Sequence, residues 1–581
     1  MIYAKLQNKA LIILIFISVY SQHISAQIVP SDYLQNKSFT YDQTIDYYRE
    51  LDKKYKHAWL IEKGSTDIGR PLHLFIMYGG KNFTRDVIER RTVPILLIMN
   101  GIHPGEPDGI DASLHLSEWV LSKNDSLLKN TCICIIPVYN VDGALNRGCC
   151  SRVNQDGPEQ YGFRGNSKNL DLNRDFIKMD TKNTRSFVTL FQWLQPDLFI
   201  DTHVSNGADY QYTFTLLTTQ KDKLEKHISD YLYDEILPSG TKHMNDKGWP
   251  VTPYINHIYD MPDSGLVAFY DSPRYSTGYT SLFNTPGLLI ETHMLKPFPQ
   301  RVSATLEFLK FASVFMHTNG SELKAVKNQS VFYTTQQTTY GLKWQTDTTQ
   351  KEWIHFLGYE AGYKPSEVSG APRLFYDRTK PFDKMIPMYW RYTCTQSCKK
   401  PSAYIIPQGW DEITERLLIN GVKMERLEND QLIEVNGYRI KNYQPSSKPY
   451  EGRYTKMNTE VDSIRITKQF YKGDYVIKTG TRYDYFLASV LEPLGTDSYF
   501  FWGFFDGILG QKEWYSEYVW EDKAAEILEN NPELRYAFEE KKLSDAEFAK
   551  DAEAQLYYVY RHSGFFETGY MQYPVYYIIT E

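Results

Sequence analysis

The sequence predicts an α/β fold, a mixed central sheet flanked by helices, followed by a smaller α+β region. Three observations carry this reading. From about residue 40 to 315, short β-branched runs alternate with stretches whose apolar residues recur at helical spacing. The runs are apolar throughout, as strands covered on both faces are. Around Gly320–Gln350 that pattern dissolves into Ser, Asn, Gln and Thr, which places a boundary at about 320. At roughly 100–200 residues per domain, 581 residues accommodate two or three domains.

Residues 94–100, 132–137, 197–201 and 287–291 read as buried strands, and Ile110–Leu121, Thr184–Leu194 and Gln300–Phe315 as helices between them. Past the boundary, residues 403–407 read as a strand and Trp410–Ile419 as a helix stopped by Asn420-Gly421. Val422–Leu427 alternates like a strand. The Tyr- and Lys-rich stretch 430–490 carries hairpin signals such as Lys472-Gly473-Asp474. In the last hundred residues, Asn531-Pro532 marks one helix start, and Ser544-x-x-Glu547 has the form of a capping box for another. The chain divides into a signal segment (1–26), a region 27–320 and a C-terminal accessory region 321–581.

Lys5 and Lys9, the apolar run Ala10–Tyr20, polar Ser21–His23 and small Ser25-Ala26 have the order of a secretory signal, with cleavage expected after Ala26. The run is shorter than the ~20 apolar residues of a membrane span. Losing the two lysines takes the formal charge from −7 to −9. The mature protein is expected to be exported, periplasmic or extracellular, with no integral membrane segment. An acidic chain with pI ≈ 6.1 is unsuited to nucleic acid. Six cysteines are too few for a disulfide framework. Cys132 and Cys134 suit core packing, Cys149-Cys150 lies in loop-like sequence, and a Cys394–Cys398 bridge is open. The compositional oddity is aromatic: 46 Tyr, 30 Phe and 11 Trp.

Candidate chemistry collects at the carboxyl ends of the expected strands, where α/β sheets gather ligands. Strand 94–100 runs into Asn100-Gly-Ile-His103-Pro-Gly-Glu106, and an imidazole and a carboxylate on a tight turn converge readily on one cation. Strand 197–201 leads into His203. Strand 287–291 ends in Glu291, and a carboxylate closing an apolar run needs a partner or a task. Two imidazoles and one carboxylate form the open tripod of a catalytic zinc site. Between these segments stands Phe163-Arg164-Gly-Asn-Ser-Lys-Asn-Leu-Asp171-Leu-Asn173-Arg174-Asp175-Phe176.

The order HxxE, R-x-N…D-L-N-R-x-F, strand-end His, strand-end Glu strongly resembles the carboxypeptidase A-like zinc metallocarboxypeptidases, as does Gly69-Arg70-Pro71-Leu72 near the start. The resemblance covers roughly residues 40–315, and the C-terminal stretches look like the extension of large exported bacterial members. It implies a single Zn2+ on His103, Glu106 and His203. Glu291 matches the general base that takes a proton from the attacking water and delivers it to the leaving amine. Arg164 matches the arginine beside the oxyanion, with Arg152 as its rival. Asn173 and Arg174 match the pair gripping the substrate's terminal carboxylate, and Asp171 the carboxylate orienting a ligand imidazole, here His103. The family's mobile tyrosine has three candidates, Tyr270, Tyr275 and Tyr279, and Arg274 is a further candidate for substrate-binding charge. His115 and His257 read as ordinary packed or loop residues, and His293 as a residue that could stand behind the ligands.

The implied activity is zinc-dependent hydrolysis of peptide bonds, releasing C-terminal residues from peptides or peptidoglycan peptides. The alternatives are a zinc deacylase similar to aspartoacylase and succinylglutamate desuccinylase, and a silent binding module. No chemistry attaches to the accessory region, whose aromatics read as core or as a stacking platform.

Overall fold

A computed structural model describes residues 31–80, 93–255 and 261–579; the expected signal segment and His257 lie outside the described residues. The first half is built on one sheet. Its strands are β1 (Ala58–Ser65), β2 (Pro71–Met77), β3 (Ile95–Met99), β4 (Cys132–Ile136), β5 (Leu198–Ser205), β6 (Phe214–Thr218) and β7 (Val251–Pro253), joined by β9 (Gly287–His293). A two-residue β8 (Leu266–Val267) belongs to another sheet. The order is β1-β2-β4-β3-β5-β9-β6-β7. The inner quartet β4-β3-β5-β9 is parallel, while β1-β2, β2-β4 and β9-β6 are antiparallel, so the sheet is mixed as expected.

The apolar runs follow from burial on both faces. Ile95, Leu97 and Met99 of β3 point into one layer and Leu96 and Ile98 into the other, and all five are buried. The Leu96 face is covered by α2 (Asp108–Lys123) and α5 (Phe298–Gln336), joined there by α1 (Tyr41–Lys54). The Leu97 face receives α3 (Lys182–Leu194) and the short α4 (Ser276–Ser281). The expected helices are present and longer than their apolar patterns. The boundary expected at 320 falls inside α5, which runs unbroken to Gln336. Its inner stripe there is Gly320, Leu323, Lys327, Ser330 and Thr334, helically spaced but mostly polar. Lys327 donates to the carbonyls of Gln195 and Pro196, and Ser330 accepts from Ile228 N. Hydropathy therefore misses a helix whose buried face is satisfied by hydrogen bonds.

Beyond α5 lie β10 (Thr339–Thr346), the long pair β11 (Glu352–Pro365) and β12 (Pro372–Tyr389), and β13 (Tyr392–Lys399). A six-stranded sheet follows, formed by β14 (Ala403–Ile406), β15 (Glu425–Arg426), β16 (Gln431–Pro445), β17 (Lys456–Phe470), β18 (Tyr475–Lys478) and β19 (Tyr576–Ile578). Helix α6 (Asp411–Ile419) ends as its sequence indicates, with Gly421 at φ +81° and Val422 N donating to Leu417 O. The expected strand at 422–427 shrinks to the two residues of β15. Lys472-Gly473-Asp474 turns the chain but makes no hairpin, because β17 and β18 lie on opposite sides of β14-β19-β16. Helices α7 (Glu517–Asn530), α8 (Pro532–Ser544) and α9 (Ala552–Arg561) complete the chain. Asn531 caps α8. Ser544 ends that helix rather than opening another, and Asp551 accepts from Ala554 N to cap α9.

The accessory half shares a core with the first. One apolar cluster runs from Leu97 and Phe187 to Ile406, Leu417, Phe486 and Trp502, so the aromatics at 499–505 are largely core. Arg416 Nε donates to Lys178 O at 2.7 Å, and Arg453 meets Asp180 at 2.6 Å. Cys394 and Cys398 are free: they sit four residues apart on extended β13, about 13 Å, beyond the ~7 Å limit for a bridge. A Cys149–Cys150 bridge is present.

One buried carboxyl in the accessory half gives the fold a pH signature. Glu492 accepts from Tyr404 at 2.9 Å; burial pushes it from 4.5 up to about 7, against the pull of the Tyr438 and Tyr404 hydroxyls. A carboxyl raised above its unfolded value stabilises the fold fully below about pH 4.5, and that contribution is lost as pH rises through 7. Glu492→Gln is therefore expected to gain stability relative to the parent between pH 5 and 8, by about 3 kcal/mol at most. Melting curves across that range check it; a pH-independent offset contradicts it.

Candidate active site

The parallel quartet brings the carboxyl ends of β3, β5 and β9 side by side. β3 ends in a turn that requires glycine twice. Gly101 adopts φ +64°, and at Gly105 a Cβ would lie 2.7 Å from Arg152 Cδ. Glu106 N donates to His103 O at 2.8 Å, closing the turn so that both side chains face one point. His203 comes from β5, and β9 pairs with β5 in the register His203↔Glu291.

His103, Glu106 and His203 converge, with ligand atoms all within 4.8 Å of one another and every side chain buried. His103 Nδ1 lies 3.3 Å from Glu106 Oε1, and His203 Nδ1 lies 3.0 Å from Glu106 Oε2. The far nitrogens face carboxylates: His103 Nε2 is hydrogen-bonded to Asp171 Oδ1 at 2.9 Å, and His203 Nε2 lies 3.1 Å from Asp201 Oδ2. Both rings thus present Nδ1 inward. Ser276 Oγ donates to Asp201 at 2.6 Å and fixes that carboxylate in turn.

The electrostatics of this donor set call for a cation. Burial works to raise the Glu106 carboxyl, yet Arg152 and His103 hold it well below the usual range. Asp171 is likewise lowered, its burial outweighed by His103 and Arg164. His203 is raised well above its ordinary value, burial being overcome by Asp201 and Glu106. Buried negative charge that strengthens the hold on a proton also suits a divalent ion. Glu291 differs: burial, with Glu106 adding to it and His203 opposing, pushes it up to about 8. Its Oε2 has no partner among the described residues.

The loop Phe163–Phe176 wraps this centre. Asn140 Nδ2 donates to Ile102 O and Arg164 O, tying the loop to the turn after β3. Asp171 also accepts from Asn173 N at 2.8 Å, while buried Leu172 and Phe176 anchor the segment in the core. Arg164 Nε donates to Asp171 Oδ2 at 3.0 Å and Nη1 lies 3.3 Å from His103 Nδ1; the side chain is 45 % exposed. Its rival Arg152 donates to Glu106 Oε1 at 2.8 Å and to Val204 O, so its guanidinium is committed to a ligand. Arg174 does not pair with Asp175, which is taken by Lys178 and Thr181. It lies instead across the Tyr275 ring, 4.6 Å away.

These residues line one cleft of about 520 Å³ with Tyr254, Phe269, Tyr275, Leu217, Thr277 and Leu289. Leu217 pairs with Leu289 across β6 and β9, two residues from Glu291 and on its face of the sheet. Of the three candidate tyrosines, only Tyr275 lines the cleft. Tyr279 is buried in the core with its hydroxyl on Asn420. Tyr270 stacks on Tyr392 and lines a separate small cavity with Lys223 and Tyr485, which corrects its expected substrate-binding place. Arg274 is corrected too: Asp497 of the accessory half holds it at 2.7 Å, above the Trp502 ring. His293 stacks on Tyr210 at 4.1 Å, and His115 binds Ser31 O. Asp201 was not among the expected site residues; its sequence signal is that it stands two residues before His203, on the same strand face. Phe269 belongs to the aromatic group near 259–283 that the sequence sets beside Glu291, whereas nothing in the sequence marks Tyr254.

A family model described as zinc carboxypeptidase matches residues 44–211, a span that holds the three convergent ligands and Arg164 to Arg174 and ends before Glu291. Carboxypeptidase 2 of Trichophyton rubrum is 24 % identical over 427 residues, covering 69 % of this chain and 72 % of the relative. Carboxypeptidase 2 of Trichophyton tonsurans is 23 % identical over 425 residues, with the same coverage of both chains. A solved metallo-carboxypeptidase from Pseudomonas aeruginosa, in complex with (2-guanidinoethylmercapto)succinic acid, overlays at a TM-score of 0.37, with 13 % identity, over 50 % of this chain and 71 % of that one. The sequence matches favour the peptidase reading over the deacylase alternative. Over residues 44–211 the chain is thus similar to the zinc carboxypeptidases.

Proposed function

We propose that this protein removes C-terminal residues from peptides by zinc-dependent hydrolysis, with His103, Glu106 and His203 as the metal's ligands. The observation that carries the reading is the convergence of those three donors beside a half-buried carboxylate, in register on the next strand, whose Oε2 has no hydrogen-bond partner among the described residues. When bound, zinc supplies polarisation of the scissile carbonyl and acidification of water to a pKa of about 7. Glu291 takes the proton of the attacking water on its free Oε2 and returns it to the amine nitrogen as the peptide bond breaks. Its raised affinity for the proton suits this shuttle, and a cation on the three donors works against that rise.

Arg164, tethered through Nε and Nη2 to Asp171 and lining the cleft beside His103, places positive charge where the oxyanion would develop. Arg174, with Asn173, is the grip for the substrate's terminal carboxylate, since a planar guanidinium matches a carboxylate in two prongs. Tyr275, flat against Arg174, is the favoured cover for the bound residue. Beside Glu291 the wall of Leu217, Leu289, Phe269 and Tyr254 carries no charge, so an apolar or aromatic terminal side chain is preferred. The export reading rests on residues 1–26 alone. No helix of the described residues is long and apolar enough to cross a membrane. Peptides of the cell wall are the finer substrate proposal.

Three outcomes follow. Incubated with mixed peptides and cell-wall fragments, the zinc-loaded chain releases single C-terminal residues, and Glu291→Gln lowers that rate about 10³-fold with its metal retained; internal cleavage, or hydrolysis of N-acyl amino acids with peptides intact, contradicts it. His203→Ala loses the metal, and Asp201→Asn binds it about 10–100-fold more weakly, as read by metal analysis after dialysis; undiminished zinc sinks the tripod. Arg174→Ala raises KM for peptides with a free terminal carboxylate about 10–100-fold with a smaller change in kcat; an unchanged KM removes the assigned grip.

A further inference from the structure

The turn between β16 and β17 reaches from the accessory half to the Asp171–Arg174 segment. Tyr450 N donates to Arg453 O at 2.8 Å and Arg453 N returns to Tyr450 O at 3.1 Å, leaving the two-residue loop Glu451-Gly452. Both loop residues have positive φ, +48° and +80°, the geometry that matches the twist of a hairpin. A non-glycine residue adopts it only where its surroundings hold it. Here they do: Glu451 Oε2 accepts from Asp171 N at 2.8 Å, and Arg453 forks onto Asp180 at 2.7 and 2.6 Å. A Cβ at Gly452 would make only ordinary contact with Leu170, at 3.4 Å, so its φ rather than space selects glycine there.

At the base of this tip, Tyr450 accepts a hydrogen bond from Arg174 Nε at 3.1 Å, 276 positions away in the chain. Its own ring stacks on buried Trp502, centroids 6.0 Å apart and 13° from parallel. Arg174 is thereby held at three points: the Tyr450 oxygen on Nε, the Asn173 carbonyl on Nη1, and the Tyr275 ring under its plane. Among the described residues, Nη2 has no hydrogen-bond partner. The nearest competitor is the Asp171 carboxylate, 3.9 Å from Nη1.

We infer that Tyr450 is a positioning residue for substrate, its hydroxyl holding the Arg174 guanidinium open toward the cleft and away from Asp171. The inference rests on the reading that Arg174 binds the terminal carboxylate. Without that oxygen, a guanidinium with a free Nε closes on Asp171, and the incoming carboxylate must displace an ion pair to bind. The accessory hairpin therefore sets affinity for the chain end rather than the rate of bond cleavage.

The test uses the full, zinc-loaded chain and a chromogenic peptide with a free terminal carboxylate. Tyr450→Phe keeps the ring on Trp502 and removes only the oxygen. Expected is a KM increase of about 5–10-fold with kcat within about twofold and an unchanged melting temperature. Added to Arg174→Ala, Tyr450→Phe brings no further loss, because both act through one guanidinium. An unchanged KM in Tyr450→Phe, a parallel fall of kcat and melting temperature, or additive losses in the double variant overturn the inference. The underlying reading fails separately: Arg174→Ala alone then leaves KM unchanged. If Arg174→Ala raises KM and Tyr450→Phe does not, only the role of Tyr450 falls.

Discussion

The parallel pairing of β3, β5 and β9 is the constraint on which the site depends. Three strands leaving the sheet at one edge can put an imidazole and a carboxylate, a second imidazole, and a second carboxylate within reach of one point. The register His203↔Glu291 makes two of them neighbours. A shift of that pairing by one residue would turn Glu291 into the opposite layer, since strand side chains alternate between faces. The order β4-β3-β5 also reverses the direction of progression between β3 and β5, the place where open α/β sheets leave a crevice at their carboxyl ends.

Around that point charge is arranged in two shells with opposite purposes. Asp171 holds the outer nitrogen of His103 and Asp201 lies beside that of His203, while Arg152 and Arg164 balance the carboxylates from the cleft side. Glu291 is excluded from this pairing, and burial leaves it with a stronger hold on its proton. One carboxylate held low and one pushed up, facing each other across β5, is the division of labour that the proposed hydrolysis uses.

The catalytic half was legible because its signals are local. Its inner strands are buried on both faces and so read as unbroken apolar runs, and its site residues stand at the ends of those runs. What escaped the sequence depends on the second half. Tyr270 and Arg274 were reasonable substrate contacts until Tyr392 and Asp497, more than a hundred residues later, occupied them. The continuation of α5 past 320 was hidden because Lys327, Ser330 and Thr334 build its inner stripe. The Lys472 turn looked like a hairpin because turn chemistry is local whereas strand partners are not. The aromatic surplus divides the same way. Phe500, Trp502 and Phe505 fill the shared core, while Tyr254, Phe269 and Tyr275 wall the cleft, and nothing in the sequence around either group distinguishes the two uses.

Two imidazoles and one carboxylate, His103, His203 and Glu106, are proposed to form a single metal centre. X-ray absorption at the zinc edge on the full-length protein tests it most directly. The account predicts a first shell of nitrogen and oxygen at about 2.0–2.2 Å, with the multiple-scattering signature of two histidine rings. Sulfur at about 2.3 Å, or scattering from fewer than two imidazoles, would contradict it.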